Sequence, residues 1–284
     1  MINIAAKKPL SISQQEVQLK GWSIEARIYA EDPIRDFAPS IGRIRKFIPP
    51  KINDKNIRLD SGVEEGGEIS MYYDPMIAKL ISFGNDRLDA SKKLSKALDQ
   101  FVIKGLKTNI SFVNSVICNN TFSSGNITTA FLEQEYPNGF DGTIKSVEKK
   151  LLIAIAALAM EALNFRRKNS NNKESKKGEL VTIISEEIYF FRYEIFSEIT
   201  SHKHMLDINY QDKLYSLEIY WEYGSSLINI VEDNNNNIFQ VSKDIGGYNI
   251  KHGGFDSLVK VQSEKMLELS RLIPEKNQTS SSKV

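Results

Sequence analysis

Cysteine is almost absent from the sequence, since the 284 residues include one, Cys118. An internal disulfide is therefore impossible, which fits a reducing compartment. An excess of charge of one sign is absent too. The 37 Lys and Arg residues balance 36 Asp and Glu residues to a formal net charge of +1. This balance argues against nucleic acid or an anionic membrane as the partner of the whole chain.

Long hydrophobic runs are also lacking. The longest, LLIAIAALAM at 151–160, is too short to span a bilayer and predicts a buried helix. The first residues, MINIAAKKPLSIS, lack the apolar core region of a signal peptide. We therefore expect no membrane partner.

The common catalytic and phosphate-binding motifs are missing. The sequence contains no G-x-x-x-x-G-K-[ST], no G-x-G-x-x-G and no G-x-S-x-G motif. His202 and His204 could reach one metal ion, but no third ligand follows at a suitable spacing. We therefore predict no metal site and read this pair as part of a polar surface.

Acidic residues cluster in GWSIEARIYAEDP at 21–33, where Glu25, Glu31 and Asp32 could in principle bind a metal or exchange protons. Their spacing requires neither a metal site nor a role in proton exchange. Glu25 and Arg27 share one face of a predicted strand, so an ion pair with a neighbouring strand is the simpler interpretation.

The first half of the chain mixes short strands and helices. Alternating apolar residues over 22–28 predict a strand, and MIAKLISFG at 76–84 predicts another. After Gly84, Asn85 or Asp86 can cap a helix. The turn-rich segment YPNGFDGT at 136–143 marks a boundary.

The second half is predicted to begin with one long helix at roughly 144–168, apolar on nearly all sides for two-thirds of its length. A charged loop at 165–178 follows, with a further turn in the NNNN run at 234–237 and a flexible tail at 277–284. Eight short strands then suggest an antiparallel barrel or sandwich, and a barrel around the helix would bury both. The strand-like segments are LVTIIS, IYFFRYEIF, HMLDINY, KLYSLEIYW, LINIVE, IFQVS, YNIKH and SLVKVQ.

One arginine stands out in IRLDSGVEEGGEISMYYDPMIAKL at 57–80. The guanidinium of Arg58 offers five donors in a fixed fork and could hold an oxyanion. The simpler alternative is an ion pair with Asp60 or Glu64. In the YYDP segment, the Asp74–Pro75 step favours a tight turn without any further role.

Six blocks of the first half resemble the carboxyl-terminal lobe of biotin carboxylase, in the same order and at similar spacing. They are GWSIEARIYAEDP, PSIGRIRKF, IRLDSGV, YYDPMIAKLISFGNDR, IKGLKTNISF and FLEQEYPNGF. The likeness is strongest to the α subunits of propionyl-CoA carboxylase and related acetyl- and acyl-CoA carboxylases. The second half resembles the domain that follows there, by position and pattern more than by motifs.

The resemblance implies an α+β fold in three parts. Residues 1–140 would form the biotin carboxylase C-terminal lobe, a mixed antiparallel sheet with helices. Residues 144–275 would form a long helix surrounded by an eight-stranded antiparallel β-barrel that contacts the carboxyltransferase β subunit. Residues 276–284 would begin the linker to a biotinyl carrier domain.

The resemblance also implies a ligase that uses ATP, Mg and bicarbonate to carboxylate biotin. Arg58 matches the family arginine that faces the biotin ureido oxygen as that oxygen becomes negative, so it is the expected catalytic and substrate-binding residue. Asp60, Ser61, Tyr72 and Asp74 are expected to form the scaffold of its loop.

The resemblance implies that the residues that the family uses for ATP, Mg and biotin attachment lie outside this sequence. We therefore expect the isolated chain to be inactive and to need an ATP-grasp lobe and a biotinyl carrier as partners. The alternative is a non-catalytic interaction module, or an inactive remnant, whose barrel binds the β subunit. The expected location is the bacterial cytoplasm, or the mitochondrial matrix in a eukaryote.

Overall fold

The computed structural model describes residues 1–53, 55–168, 175–197, 202–233 and 235–272. The fold is α+β, with small antiparallel sheets and helices followed by a closed eight-stranded antiparallel barrel. The helices are α1 (Ile2–Ala5), α2 (Arg87–Gln100), α3 (Ile110–Ile117), α4 (Asn120–Ser124), α5 (Phe131–Glu135), α6 (Val147–Lys168) and α7 (Glu264–Arg271).

The strands fall into two groups along the chain. Those before the long helix are β1 (Trp22–Tyr29), β2 (Glu31–Asp32), β3 (Ala38–Pro39), β4 (Gly42–Arg43), β5 (Lys46–Ile48), β6 (Ile57–Ser61), β7 (Glu68–Ile69), β8 (Met76–Gly84) and β9 (Val102–Lys104). Those of the barrel are β10 (Lys176–Ile184), β11 (Glu187–Ser197), β12 (Lys203–Tyr210), β13 (Lys213–Tyr220), β14 (Leu227–Glu232), β15 (Asn235–Asp244), β16 (Gly247–His252) and β17 (Phe255–Gln262).

A three-stranded antiparallel sheet, in the order β1-β8-β6, organises the first half. Its inner face packs on α2, where Ile28, Leu80, Leu94 and Leu98 are fully buried. Helix α2 begins after Asp86, whose side chain accepts a hydrogen bond from the backbone N–H of Asp89. Because one face of the sheet is buried and the other is exposed, the side chains of β1 and β8 alternate between the two faces in a fixed register.

The barrel encloses α6. Its strands pair in chain order, and β10 closes on β17. Residues 153–160 of α6 are 0–5% exposed on every side of the helix. The helix can be apolar all round because the inward-facing residues of the barrel strands surround it.

Among the described residues, three hairpins of the barrel use two-residue turns with positive φ at both positions. The φ angles are 44° and 74° for Ser185 and Glu186, 50° and 62° for Gln211 and Asp212, and 54° and 94° for Gly253 and Gly254. Turns with positive φ at both central residues match the right-handed twist of the flanking strands. They hold neighbouring strands in the register that keeps apolar side chains inside.

The sequence-based predictions for the second half are confirmed for the central helix and the barrel strands, and corrected in two connecting segments. Asn235–Asn237 of the NNNN run do not form a turn, because they open strand β15 and pair with residues 230–232 of β14, while Asn234 lies outside the described residues. Here strand pairing outweighs the low β-propensity of asparagine. The predicted loop at 165–178 is shorter than expected, since α6 runs to Lys168 and β10 starts at Lys176. Its centre, residues 169–174, and the predicted tail at 277–284 lie outside the described residues.

Polar contacts join the first half to the barrel. Asp99 of α2 is 7% exposed. Its Oδ1 accepts from the backbone N–H of Gly253 at 2.9 Å, and its Oδ2 lies 3.0 Å from Nδ1 of His252. Nε2 of Gln240 donates to the backbone carbonyls of Asp99 and Phe101, at 3.2 and 2.9 Å. Within the part of the chain that the structure describes, no helix is long and apolar enough to cross a membrane.

Candidate functional site

The outer face of the three-stranded sheet carries charged residues in register. Arg27, Lys79 and Asp60 lie opposite one another across β1, β8 and β6, and Glu25 lies in the next row with Arg58. Because side chains alternate along a strand, all five project from the face opposite α2. The sheet thereby presents an exposed charged surface.

Arg58 is held on this face by Asp60. Nε of Arg58 donates to Oδ1 of Asp60 and Nη2 donates to Oδ2, each at 2.8 Å. The two side chains are 72% and 44% exposed. The hydrogen bond from Arg58 lowers the pKa of the Asp60 carboxyl, so Asp60 stays ionised. This ion pair with Asp60 is one of the two that the sequence analysis offered as the simpler alternative for Arg58. The Nη1 group of Arg58 makes no hydrogen bond to Asp60.

The other predicted loop residues make local turns. Oγ of Ser61 donates to the backbone carbonyl of Val63 at 2.7 Å, and the Asp74 carboxylate accepts from the N–H of Met76 at 2.8 Å. The Tyr72 side chain is 84% exposed. Of the predicted residues, therefore, the structure brings Asp60 into contact with Arg58.

The sequence analysis missed two relations between these residues and their neighbours, the proximity of Glu31 to Asp74 and that of Lys79 to Asp60. Burial, and then the nearby Asp74 carboxylate, raise the pKa of Glu31. Lys79 lies opposite Asp60 in the sheet and adds to the lowering of the pKa of that carboxyl. Both contacts join different segments of the chain, so no local pattern predicts them. The alternation of β8 does predict that Lys79 lies on the outer face of the sheet.

The carboxylates and histidines singled out in the sequence do not assemble into a metal site. Within the described ranges, no group of three or more His, Cys, Asp or Glu residues is placed to hold a metal ion. Glu25 pairs with Arg27 of its own strand at 3.0 Å, not with a neighbouring strand, because both project from the same face two residues apart. Burial, followed by the positive charge of Arg166, lowers the pKa of His204.

Comparison with known families accounts for most of the chain. Residues 25–134 match the family described as biotin carboxylase C-terminal domain, and residues 152–276 match the one described as propionyl-coenzyme A carboxylase BT domain. The charged sheet face therefore belongs to a biotin carboxylase C-terminal domain, and the barrel with its central helix is a BT domain.

Curated relatives align with long stretches of the chain. The propionyl-CoA carboxylase alpha chain of Ruegeria pomeroyi is 37% identical over 309 residues, an alignment that covers 100% of this chain and 44% of that protein. The mitochondrial propionyl-CoA carboxylase alpha chain of Homo sapiens is 44% identical over 168 residues, covering 58% of this chain and 23% of that protein. The chain is thus similar over its matched regions to part of propionyl-CoA carboxylase alpha chains.

The chain spans less than half the length of these relatives. Biotin carboxylase 1 of Bacillus subtilis is 42% identical over 132 residues, which cover 46% of this chain and 29% of that protein. Among solved structures, the biotin carboxylase domain of Hydrogenobacter thermophilus 2-oxoglutarate carboxylase has 39% sequence identity and a TM-score of 0.45, and the match covers 47% of this chain and 29% of the other.

Proposed function

We propose that this chain supplies the C-terminal lobe and the BT domain of a biotin-dependent acyl-CoA carboxylase, and that Arg58 assists the ATP- and bicarbonate-dependent carboxylation of biotin. Residues 1–140 act as the lobe and residues 144–275 as the BT domain, with a linker from 276. The observation that supports the proposal is the pairing of Arg58 with Asp60 on an exposed sheet face, within a region that matches the biotin carboxylase C-terminal domain.

The residues present on the sheet face fit a ligand that gains negative charge. The fork of Arg58 keeps a fixed orientation because Asp60 holds its Nε and Nη2 edge. The Nη1 group can then donate to an oxyanion that approaches from outside. Biotin, when bound, supplies the ureido group that accepts the carboxyl group.

Exclusion of water decides how much Arg58 can contribute. An exposed guanidinium interacts weakly with an anion in water, and the same contact is several-fold stronger in a water-poor site. A second lobe covering this sheet face would provide that environment. A fixed donor aimed at developing charge is then worth several kcal/mol, on the order of 3.

The active carboxylase therefore needs more than these residues. We propose that an ATP-grasp lobe, which binds ATP and Mg, covers the charged sheet face, and that a biotinyl carrier brings biotin to Arg58. The isolated chain is then inactive in ATP hydrolysis. The named relatives are bacterial and mitochondrial, which supports the bacterial cytoplasm or the mitochondrial matrix as the place of action.

Reconstitution tests this proposal. The full chain is mixed with a separately expressed amino-terminal and ATP-grasp segment of the Ruegeria pomeroyi alpha chain, and bicarbonate-dependent ATP hydrolysis is measured with free biotin. We expect activity from the mixture and none from either part alone. An inert mixture in which the two parts nevertheless bind each other would contradict the catalytic role.

A second candidate function, a partner-binding module without catalysis, is favoured by the outer face of the barrel. Phe196 of β11 and Met205 of β12 lie directly opposite each other and are 38% and 37% exposed. Neighbouring exposed apolar residues in a barrel wall favour burial against another protein. We propose that this pair contacts the carboxylase β subunit.

A binding assay separates the two functions. The full chain is titrated with a propionyl-CoA carboxylase β chain, and Met205→Glu is compared with Ile245→Glu, a control at a residue that is 92% exposed. We expect Met205→Glu to weaken binding at least about tenfold, because burying an unpaired charge costs more than 1.4 kcal/mol. Equal binding by both variants would remove this face from the interface.

A further inference from the structure

A cleft of about 450 Å³ lies where the C-terminal lobe meets the BT domain. Its barrel wall is the outer face of two neighbouring strands, where Gln240 pairs with Lys251 and Ser242 pairs with Asn249. Its opposite wall is the segment 103–107 that leaves strand β9. The volume is that of a small-molecule site.

The lining of the cleft is basic and carries no carboxylate. Lys104, Lys107 and Lys251 line it. Lys46 reaches its edge, because its Nζ donates to Oγ of Ser226, another lining residue, at 3.5 Å. Lys46 and Lys104 lie directly opposite each other in the β5–β9 ribbon, an arrangement of like charges that destabilises a strand pair unless an anion is present.

Carboxylates elsewhere offset little of this charge. Asp256 pairs with Lys251 at 2.6 Å. Within the described parts of the chain, no carboxylate oxygen lies within 4.0 Å of the ammonium groups of Lys46, Lys104 or Lys107. Burial, and then the positive charges of Lys46 and Lys251, lower the pKa of Lys104. Lys46, Lys104 and Lys107 therefore lie at the cleft without a matching negative charge, whereas Lys251 is paired with Asp256.

We propose that this cleft binds a small anion bearing several phosphate groups, and that the anion bridges the lobe and the barrel. Lys104 and Lys107 contact it from the lobe, and Lys251 contacts it from the barrel. Phosphate is favoured over carboxylate because the lining offers point-charge ammonium groups, hydroxyls and amides, and no arginine fork that would match a planar carboxylate.

Calorimetric titration of the full chain with inorganic tripolyphosphate, at constant ionic strength, tests the proposal. We expect saturable binding of one tripolyphosphate per chain and weaker binding of citrate. The double variant Lys104→Gln/Lys107→Gln should bind at least about tenfold more weakly, because each lost charge-assisted hydrogen bond accounts for about that factor. Lys92→Gln/Lys96→Gln makes the same charge change on α2, outside the cleft lining, and should bind as the wild type does.

Lysine acetylation of the wild-type chain gives a second readout that needs no variant. Tripolyphosphate should protect Lys104 and Lys107 from acetylation by acetic anhydride, with Lys92 and Lys96 unprotected. Equal binding by both double variants, or no selective protection, would overturn the site and indicate an adventitious ion only. Citrate binding as tight as that of tripolyphosphate would overturn the assignment to phosphate. Because these measurements do not involve biotin or ATP hydrolysis, their failure is distinct from failure of the proposed carboxylase function.

Discussion

Arg58 illustrates how a functional arginine can be held in place without stabilising the fold. Its two hydrogen bonds to Asp60 are short, but both side chains are exposed, at 72% and 44%. Water and ions screen such a pair, so its contribution to stability is small. The contact fixes the direction of the fork instead.

Replacement of Asp60 by Asn tests this view of the pair. We expect Asp60→Asn to leave the free energy of unfolding unchanged within the error of the measurement, because an exposed ion pair contributes little in water. Urea denaturation followed by circular dichroism measures the change. A clear loss of stability would show that the pair supports the fold.

Sequence reasoning named Asp60 or Glu64 as the ion-pair partner of Arg58, and the structure selects Asp60, since two residues of one strand at i and i+2 share a face. It missed the proximity of Glu31 to Asp74, which raises the pKa of Glu31 along with burial. The contact joins distant segments, and no local pattern encodes it. Whether Arg58 faces biotin stays a prediction.

At the scale of elements, α6 is the organising feature of the second half. Leu158 is fully buried at the centre of this helix, within the barrel. Truncation to alanine removes buried methyl groups and leaves a cavity among side chains that cannot all move inward.

We expect Leu158→Ala to lower the free energy of unfolding by about 2–5 kcal/mol. The control is Val147→Ala at the start of the same helix, a residue that is 70% exposed and should change stability by less than about 0.5 kcal/mol. Chemical denaturation of both variants checks the prediction. Similar effects from both would argue that the barrel does not enclose the helix in solution.

The barrel elements could be predicted from sequence because alternation and helix periodicity are local signals. The same reasoning was wrong for residues 235–237 of the NNNN run. Composition indicates a turn, but Asn235, Asn236 and Asn237 pair with β14. Their neighbours across the sheet, not their own propensity, determine their conformation.

At the scale of the whole molecule, a buried ion pair joins lobe and barrel. Burial lowers the pKa of His252, but the Asp99 carboxylate and the backbone carbonyl of Ile238 outweigh burial and raise it overall. The raised pKa means that protonated His252 is favoured in the folded state. Its stabilisation is fully present below the unfolded pKa, about 6.5, and is lost as pH rises through the folded pKa.

We therefore expect stability to depend on pH through this pair. The free energy of unfolding of the wild type, relative to that of His252→Gln, should decline as pH rises from about 6 to about 9. Denaturation at a series of pH values measures the difference. A constant difference across that range would show that His252 does not carry the expected charge.

This junction could not have been predicted from sequence. Asp99 lies on a helix of the first half and His252 at the end of a barrel strand, and neither has a local signal that points to the other. Only the packed arrangement of the two halves creates the pair, and the same holds for the lysines of the neighbouring cleft.

The action of Arg58 on biotin can be measured in the reconstituted mixture as the rate of bicarbonate-dependent biotin carboxylation. The proteins compared are the wild type, Arg58→Ala and Arg58→Lys. We expect a loss in kcat of at least about 100-fold for Arg58→Ala, and incomplete rescue by Arg58→Lys because lysine lacks the fork. Undiminished carboxylation by Arg58→Ala, with the variant folded and bound to the ATP-grasp segment, would contradict this expectation.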